Sequence, residues 1–178
     1  MTYSYPHVGA TRGTPPANWR INHMRFQVGR GRAKFDFLAE ALFSWKLLAI
    51  DGLEVFPSAR LPEPGTDVAI LSRHFGIWSV DFCRVIYVLH EAPEQDGKVW
   101  RTGFAYGTLP GHAVDGEEIF SVEWHAATQE VWYDIYSFSL PATILVSLIA
   151  PMARATQRRF ARASLEKAAC LAAQSSEV

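Results

Sequence analysis

The hydrophobic and polar positions of this chain change period along its length. Ile21–Val28 alternates and predicts a short strand, and Gly29–Gly31 predicts a turn. In Ala33–Leu48 the apolar residues Phe35, Leu38, Leu42, Trp45 and Ala49 recur at three- and four-residue steps, which predicts a helix, with Gly52 following its end. Leu53–Phe56 reads as a short strand, and Leu61–Gly65, with two prolines and a glycine, as a loop. Alternation then returns. Val68–His74, Ser79–Glu91, Val99–Leu109, Glu117–His125 and Glu130–Ser139 each read as strands, with hairpin turns at Glu94–Gly97 and Ala126–Gln129. Short turns imply antiparallel neighbours. The segment from Ala142 to Ala173 returns to a helical period. Ile149, Met152, Thr156, Phe160, Ala163 and Cys170 share one stripe, and Pro151 predicts a kink or break.

This order predicts an α+β fold in a single domain spanning residues 1–178, with residues 1–20 extended. One face of a curved antiparallel β-sheet must be covered, and a long C-terminal α-helix over 142–173 covers it, which is the helix-grip arrangement. Composition narrows the function classes. The 178 residues are 49% hydrophobic with a net charge of -1, so neither nucleic acid nor an anionic membrane is an expected partner. Arg154, Arg158 and Arg162, with Arg159, read as the solvated face of the last helix. Cys83 and Cys170 are too few for a disulfide framework and read as buried thiols. The proline-bearing N-terminus has no signal-peptide core, and the apolar stretch Ser139–Ala155 is short for a transmembrane segment and carries two prolines. The expectation is a cytoplasmic protein.

The most specific stretch is Gly103-Phe104-Ala105-Tyr106-Gly107-Thr108-Leu109-Pro110-Gly111-His112, followed by Gly116-Glu117-Glu118. Gly103, Ala105 and Gly107 share one face of the strand, which is nearly bare and admits a close approach by another backbone or a ligand. The turn is expected to set His112 near two carboxylates. His112, Tyr106 and Glu118 are therefore the candidate acid–base residues; the competing reading has His112 as a structural residue of the turn. Tyr87, Phe104, Trp124 and Tyr136 are candidate ligand-binding aromatics, which in a sheet are equally natural as core. Arg84 is a further ligand-binding candidate. If its face is inward it needs a buried partner such as Glu118 or Asp134. The cluster Gly29–Lys34 reads first as a tight strand-to-helix turn, with anion binding as the alternative. The six histidines have no paired spacing, so no metal and no cofactor is expected.

Taken in order, Tyr5–Arg12, Val28–Gly31, Arg84–Val88, the Gly103–His112 run with Gly116–Glu118, Ser137–Ser139 with Pro141, and Pro151 with Gln157 resemble the DUF1990 family, also catalogued as UPF0548. The resemblance covers nearly the whole chain. It departs at Ala113, where the family tends to have Pro, and at Leu140, where it tends to have Arg. The family resemblance implies a fold similar to the Bet v 1 and START-like superfamily, whose members commonly bind apolar molecules and include cyclases and hydrolases. The expected function is binding of a small apolar or aromatic molecule between sheet and C-terminal helix. An acid–base enzyme using His112 and Tyr106 is the alternative, and a protein-interaction module with a packed interior is the third reading.

Overall fold

In the computed structural model, residues 2–74, 77–92, 99–142 and 162–171 are described. The strands are β1 (Arg20–Arg30), β2 (Leu53–Pro57), β3 (Asp67–His74), β4 (Ile77–Glu91), β5 (Val99–Thr108), β6 (Val114–His125) and β7 (Glu130–Pro141). Helix α1 (Arg32–Phe43) follows β1, and residues 162–171 form a second helix, α2. The strands make one antiparallel sheet in the order β1-β7-β6-β5-β4-β3-β2. The chain enters at one edge and crosses on α1 to the other, and hairpin connections then return it strand by strand. This is an α+β fold with a curved seven-stranded sheet and a C-terminal helix.

Helix α1 stops earlier than its hydrophobic period suggests. Trp45 takes a left-handed conformation at φ 64, and Lys46 N–H reaches back to the Ala41 carbonyl while Trp45 N–H reaches Leu42. These two bonds close the helix end in the manner usually given to glycine. Tryptophan is held there by its own packing. Its indole N–H donates to the Arg60 carbonyl at 3.2 Å, and its ring lies 4.9 Å from that of Phe104. The apolar run therefore continues past the helix as a buried turn, with Leu47 and Leu48 fully covered.

The sheet has an inner face against both helices and an outer face. Phe35, Leu38 and Leu42 of α1 pack on Phe104, Phe120, Val122, Tyr133 and Ile135 of the sheet, with Leu165 and Ala168 of α2 closing the same core. Polar contacts pin α2 in place: Ser164 Oγ donates to the Leu47 carbonyl at 2.7 Å, Tyr133 OH donates to Ser164, and Lys167 Nζ donates to the Ala49 carbonyl. Of the long helix expected over 142–173, the stripe residues Ile149, Met152, Thr156 and Phe160 and the kink at Pro151 lie outside the described residues, as do Arg154, Arg158, Arg159 and the Glu94–Gly97 turn. The Ala126–Gln129 turn is present. Cys83 is buried as expected, but Cys170 is exposed, because it falls on the outer side of α2. Among the described residues no helix is long and apolar enough to cross a membrane.

Candidate functional site

The bare face of β5 turns out to receive the chain's own N-terminus. Residues 3–12 are not simply extended: they run over the outer face as a strap, with Tyr5 buried and a 3-10 turn at Ala10–Arg12. A methyl group at Gly107 would stand 2.2 Å from the Tyr5 hydroxyl, so glycine is what admits the tyrosine. The strap is tied down by one carboxylate. Glu117, 3% exposed, accepts from Tyr5 OH at 2.8 Å, Gly9 N–H at 2.7 Å and Thr11 N–H at 3.0 Å, and from the Thr11 hydroxyl. Burial, together with Glu117 alongside, pushes the Tyr5 phenol up, so it stays a donor. The Thr11 hydroxyl also meets Tyr87 OH at 2.6 Å, Arg12 lies over the Tyr87 ring, and Tyr5 and Trp19 pack edge-on against Phe138.

Glu118, one residue on, faces the other way. Its carboxylate accepts from Tyr106 OH at 3.0 Å on the inner face. Desolvation raises its pKa from 4.5 to about 7, with the tyrosine bond opposing the shift. Tyr106, also desolvated and beside Glu118, is raised and remains protonated. Glu118 nevertheless keeps accessible surface, as does Ser137, which stands opposite it on β7. Register extends this level across four strands: Tyr106 pairs with Glu118, Glu118 with Ser137, and Ser137 with Asn22 on β1. The next inner-facing level is wholly apolar, Phe104, Phe120, Ile135 and Met24. Ser137 and Asn22 escaped the sequence reading because nothing local marks them; only strand register sets them beside Glu118.

His112 is held elsewhere in the turn. Pro110 and Gly111 form the turn centre, Gly111 with φ 97, and His112 N–H closes it on the Leu109 carbonyl. The ring Nδ1 accepts the Val114 N–H at 3.1 Å, which leaves Nε2 to carry the proton of the neutral imidazole. The carboxylate beside it is Asp81 of β4, at 3.7 Å, in place of the expected Glu117 and Glu118. Burial lowers the His112 pKa, partly offset by Asp81. Among the described residues no hydrogen bond joins His112 to Tyr106 or Glu118.

The ligand-binding candidates divide between the two faces. Phe104 and Trp124 are on the inner face. Phe104 is fully buried among Phe43, Trp45 and Phe120, while the Trp124 indole N–H is buried without a partner. Tyr87 and Tyr136 belong to the outer face, in a small cluster with Leu89, Ala105 and Ile119. Arg84 is not inward: it pairs with Asp67 of β3 at 2.6 and 3.0 Å, and not with Glu118 or Asp134. The reason is a bulge between Val85 and Tyr87, which shifts the alternation of β4 so that Arg84 and His90 do not share a face. Asp134 instead pairs with His23 on the outer face. Beside α1 there is a cleft of about 430 Å³ lined by Arg32, Phe35, Phe43, His90, Trp100 and Thr102. In the Gly29–Lys34 turn, Gly31 supplies φ 88, the Lys34 stem packs over Gly29, and Arg32 pairs with Asp36. No three His, Cys, Asp or Glu side chains among the described residues gather as a metal site.

The model of the family described as "Domain of unknown function (DUF1990)" matches residues 4–167, which include the strap, the turn and both glutamates. This chain belongs to the DUF1990 family. A UPF0548 protein of Arabidopsis thaliana is 37% identical over 146 residues, covering 82% of this chain and 70% of the relative. The DUF1990 chain also shares its fold with solved structures. The Zhui aromatase/cyclase from Streptomyces sp. R1128 superposes with a TM-score of 0.54 at 12% identity, covering 87% of this chain and 95% of that one. Ara h 8.0201 gives 0.50 at 12% identity, over 88% and 99%. The α+β fold read from the element order, a curved antiparallel sheet with a C-terminal helix, therefore stands; of the long helix expected over 142–173, residues 162–171 are described as helical.

Proposed function

We propose that this DUF1990 protein binds a small, largely apolar molecule against the inner face of its sheet, with Glu118 and Tyr106 as the polar contact. The observation that carries the reading is Glu118: a carboxyl desolvated enough to titrate near 7, held by Tyr106, still keeps accessible surface. A carboxyl kept inside a fold without an ion pair is costly and marks a place where another group is received. The cleft beside α1 is a separate opening, lined by Phe35, Phe43, Trp100 and Thr102 and not by Glu118 or Tyr106. The same fold serves an aromatase/cyclase in Zhui, which makes the interior of such a sheet a reasonable place for small-molecule chemistry. The test is native mass spectrometry of gently purified protein beside its denatured mass. A reproducible extra mass lost on denaturation, and lost in Glu118→Gln, is the expected result; a clean apo mass across preparations sinks the reading.

A second reading has Glu118 as general acid or base, with Tyr106 orienting it. A pKa near neutrality favours this, since such a group exchanges protons readily at working pH. The enzyme reading then places the chemistry on Glu118, with His112 shaping the turn through Val114. Turnover of a captured ligand by the wild type but not by Glu118→Gln would select it.

A further inference from the structure

We infer that the molecule received on the inner face is elongated and uncharged, with oxygen substituents along one edge that are read by Tyr106, Glu118, Ser137 and Asn22. The inference rests on the ligand-binding reading and specifies its chemistry.

The four residues occupy one register level on β5, β6, β7 and β1. Adjacent strands lie about 4.8 Å apart, so the row extends for roughly 14 Å across the sheet. Glu118, Ser137 and Asn22 all keep accessible surface. Among the described residues, the Ser137 and Asn22 side chains have no hydrogen-bond partner, whereas Tyr106 spends its proton on Glu118. Serine and asparagine each offer both donor and acceptor, which suits hydroxyl and carbonyl oxygens alike. No cation stands in the row; Arg20 lies one level further out, opposite Ser139, and is exposed. With a carboxyl at its centre, such a row disfavours a carboxylate or phosphate. On the adjoining level Phe104, Phe120 and Ile135 are fully buried, and Met24, which keeps accessible surface, offers apolar contact to the opposite edge of the same ligand.

Two isomers separate the geometry from general hydrophobicity. 1,8-Dihydroxyanthracene carries both hydroxyls on one edge, and 2,6-dihydroxyanthracene carries them at opposite ends. Titration of the full chain by calorimetry should show the 1,8-isomer binding at least ten-fold more tightly. Ser137→Ala and Asn22→Ala, verified as folded by thermal melting, should each cut that preference several-fold and leave the 2,6-isomer unchanged. Equal binding of the isomers, or variants that weaken both alike, overturns the inference while ligand binding stands. Binding of neither isomer also overturns it, and the native mass measurement then decides separately whether ligand binding falls with it.

Discussion

Two adjacent glutamates, Glu117 and Glu118, have opposite roles because a strand sends neighbouring side chains to opposite faces. Glu117 organises the outer face. Replacing it with alanine leaves the Gly9 and Thr11 N–H groups and the Tyr5 hydroxyl without their acceptor. A buried donor left unpaired costs about 1–3 kcal/mol, so Glu117→Ala should lose several-fold more stability than Tyr5→Phe. Urea unfolding checks the order, and limited proteolysis should show the strap cleaved first in Glu117→Ala. Glu118 should show itself through pH. The folded protein keeps its carboxyl protonated up to about 7, whereas the ordinary value is 4.5. The folded state therefore binds the extra proton between those values, and stability falls as pH rises through that window. Below it the contribution is fully present; above it the contribution is lost. The full shift corresponds to an amount on the order of 3 kcal/mol. Urea midpoints measured from pH 4 to 8 should decline in the wild type and flatten in Glu118→Gln. Parallel profiles would remove Glu118 as the source.

At the scale of the element, β5 depends on glycine for two different reasons. A methyl group on Gly103 would meet the Phe120 carbonyl oxygen at 2.1 Å, a backbone atom of the paired strand that has nowhere to go. At Gly107 it would meet the Tyr5 side chain, which can leave. Gly103→Ala should therefore disrupt the sheet and abolish cooperative folding, whereas Gly107→Ala should expel the strap and keep the sheet. Far-UV circular dichroism with thermal melting separates the two; equal damage from both would refute the distinction. The same strand explains how far the sequence reading reached. Its bare face correctly signalled close approach, but what approaches is Tyr5 and a neighbouring backbone. Alternation along β5 specifies where space is left and says nothing about what fills it, because the occupant comes from residues a hundred positions away. The bulge in β4 is a similar case. A one-residue change of phase moved Arg84 out of the interior, and no local turn signal announces it.

For the whole molecule, the strap and the inner face are independent layers on either side of one sheet. Removing residues 1–12 would uncover Tyr87, Glu117 and Phe138 while leaving the α1 and α2 contacts intact. The truncated protein should melt at lower temperature and bind a hydrophobic dye, yet keep the pH dependence assigned to Glu118. Loss of that pH dependence together with the strap would show that the two faces are coupled.

The sequence by itself determined the strands, the first helix and their antiparallel order, because period, turn residues and helix ends are local properties. It also determined the α+β class with a C-terminal helix, since a curved sheet with one apolar face must be covered. The pairings of Glu117 with the strap, His112 with Asp81, Tyr106 with Glu118, and Glu118 with Ser137 were decided by the tertiary structure. Each depends on strand register or on a distant segment folding back. The physical reason is that a side chain's face can be read from its neighbours in sequence, whereas its partner depends on which strand lies beside it and at what offset.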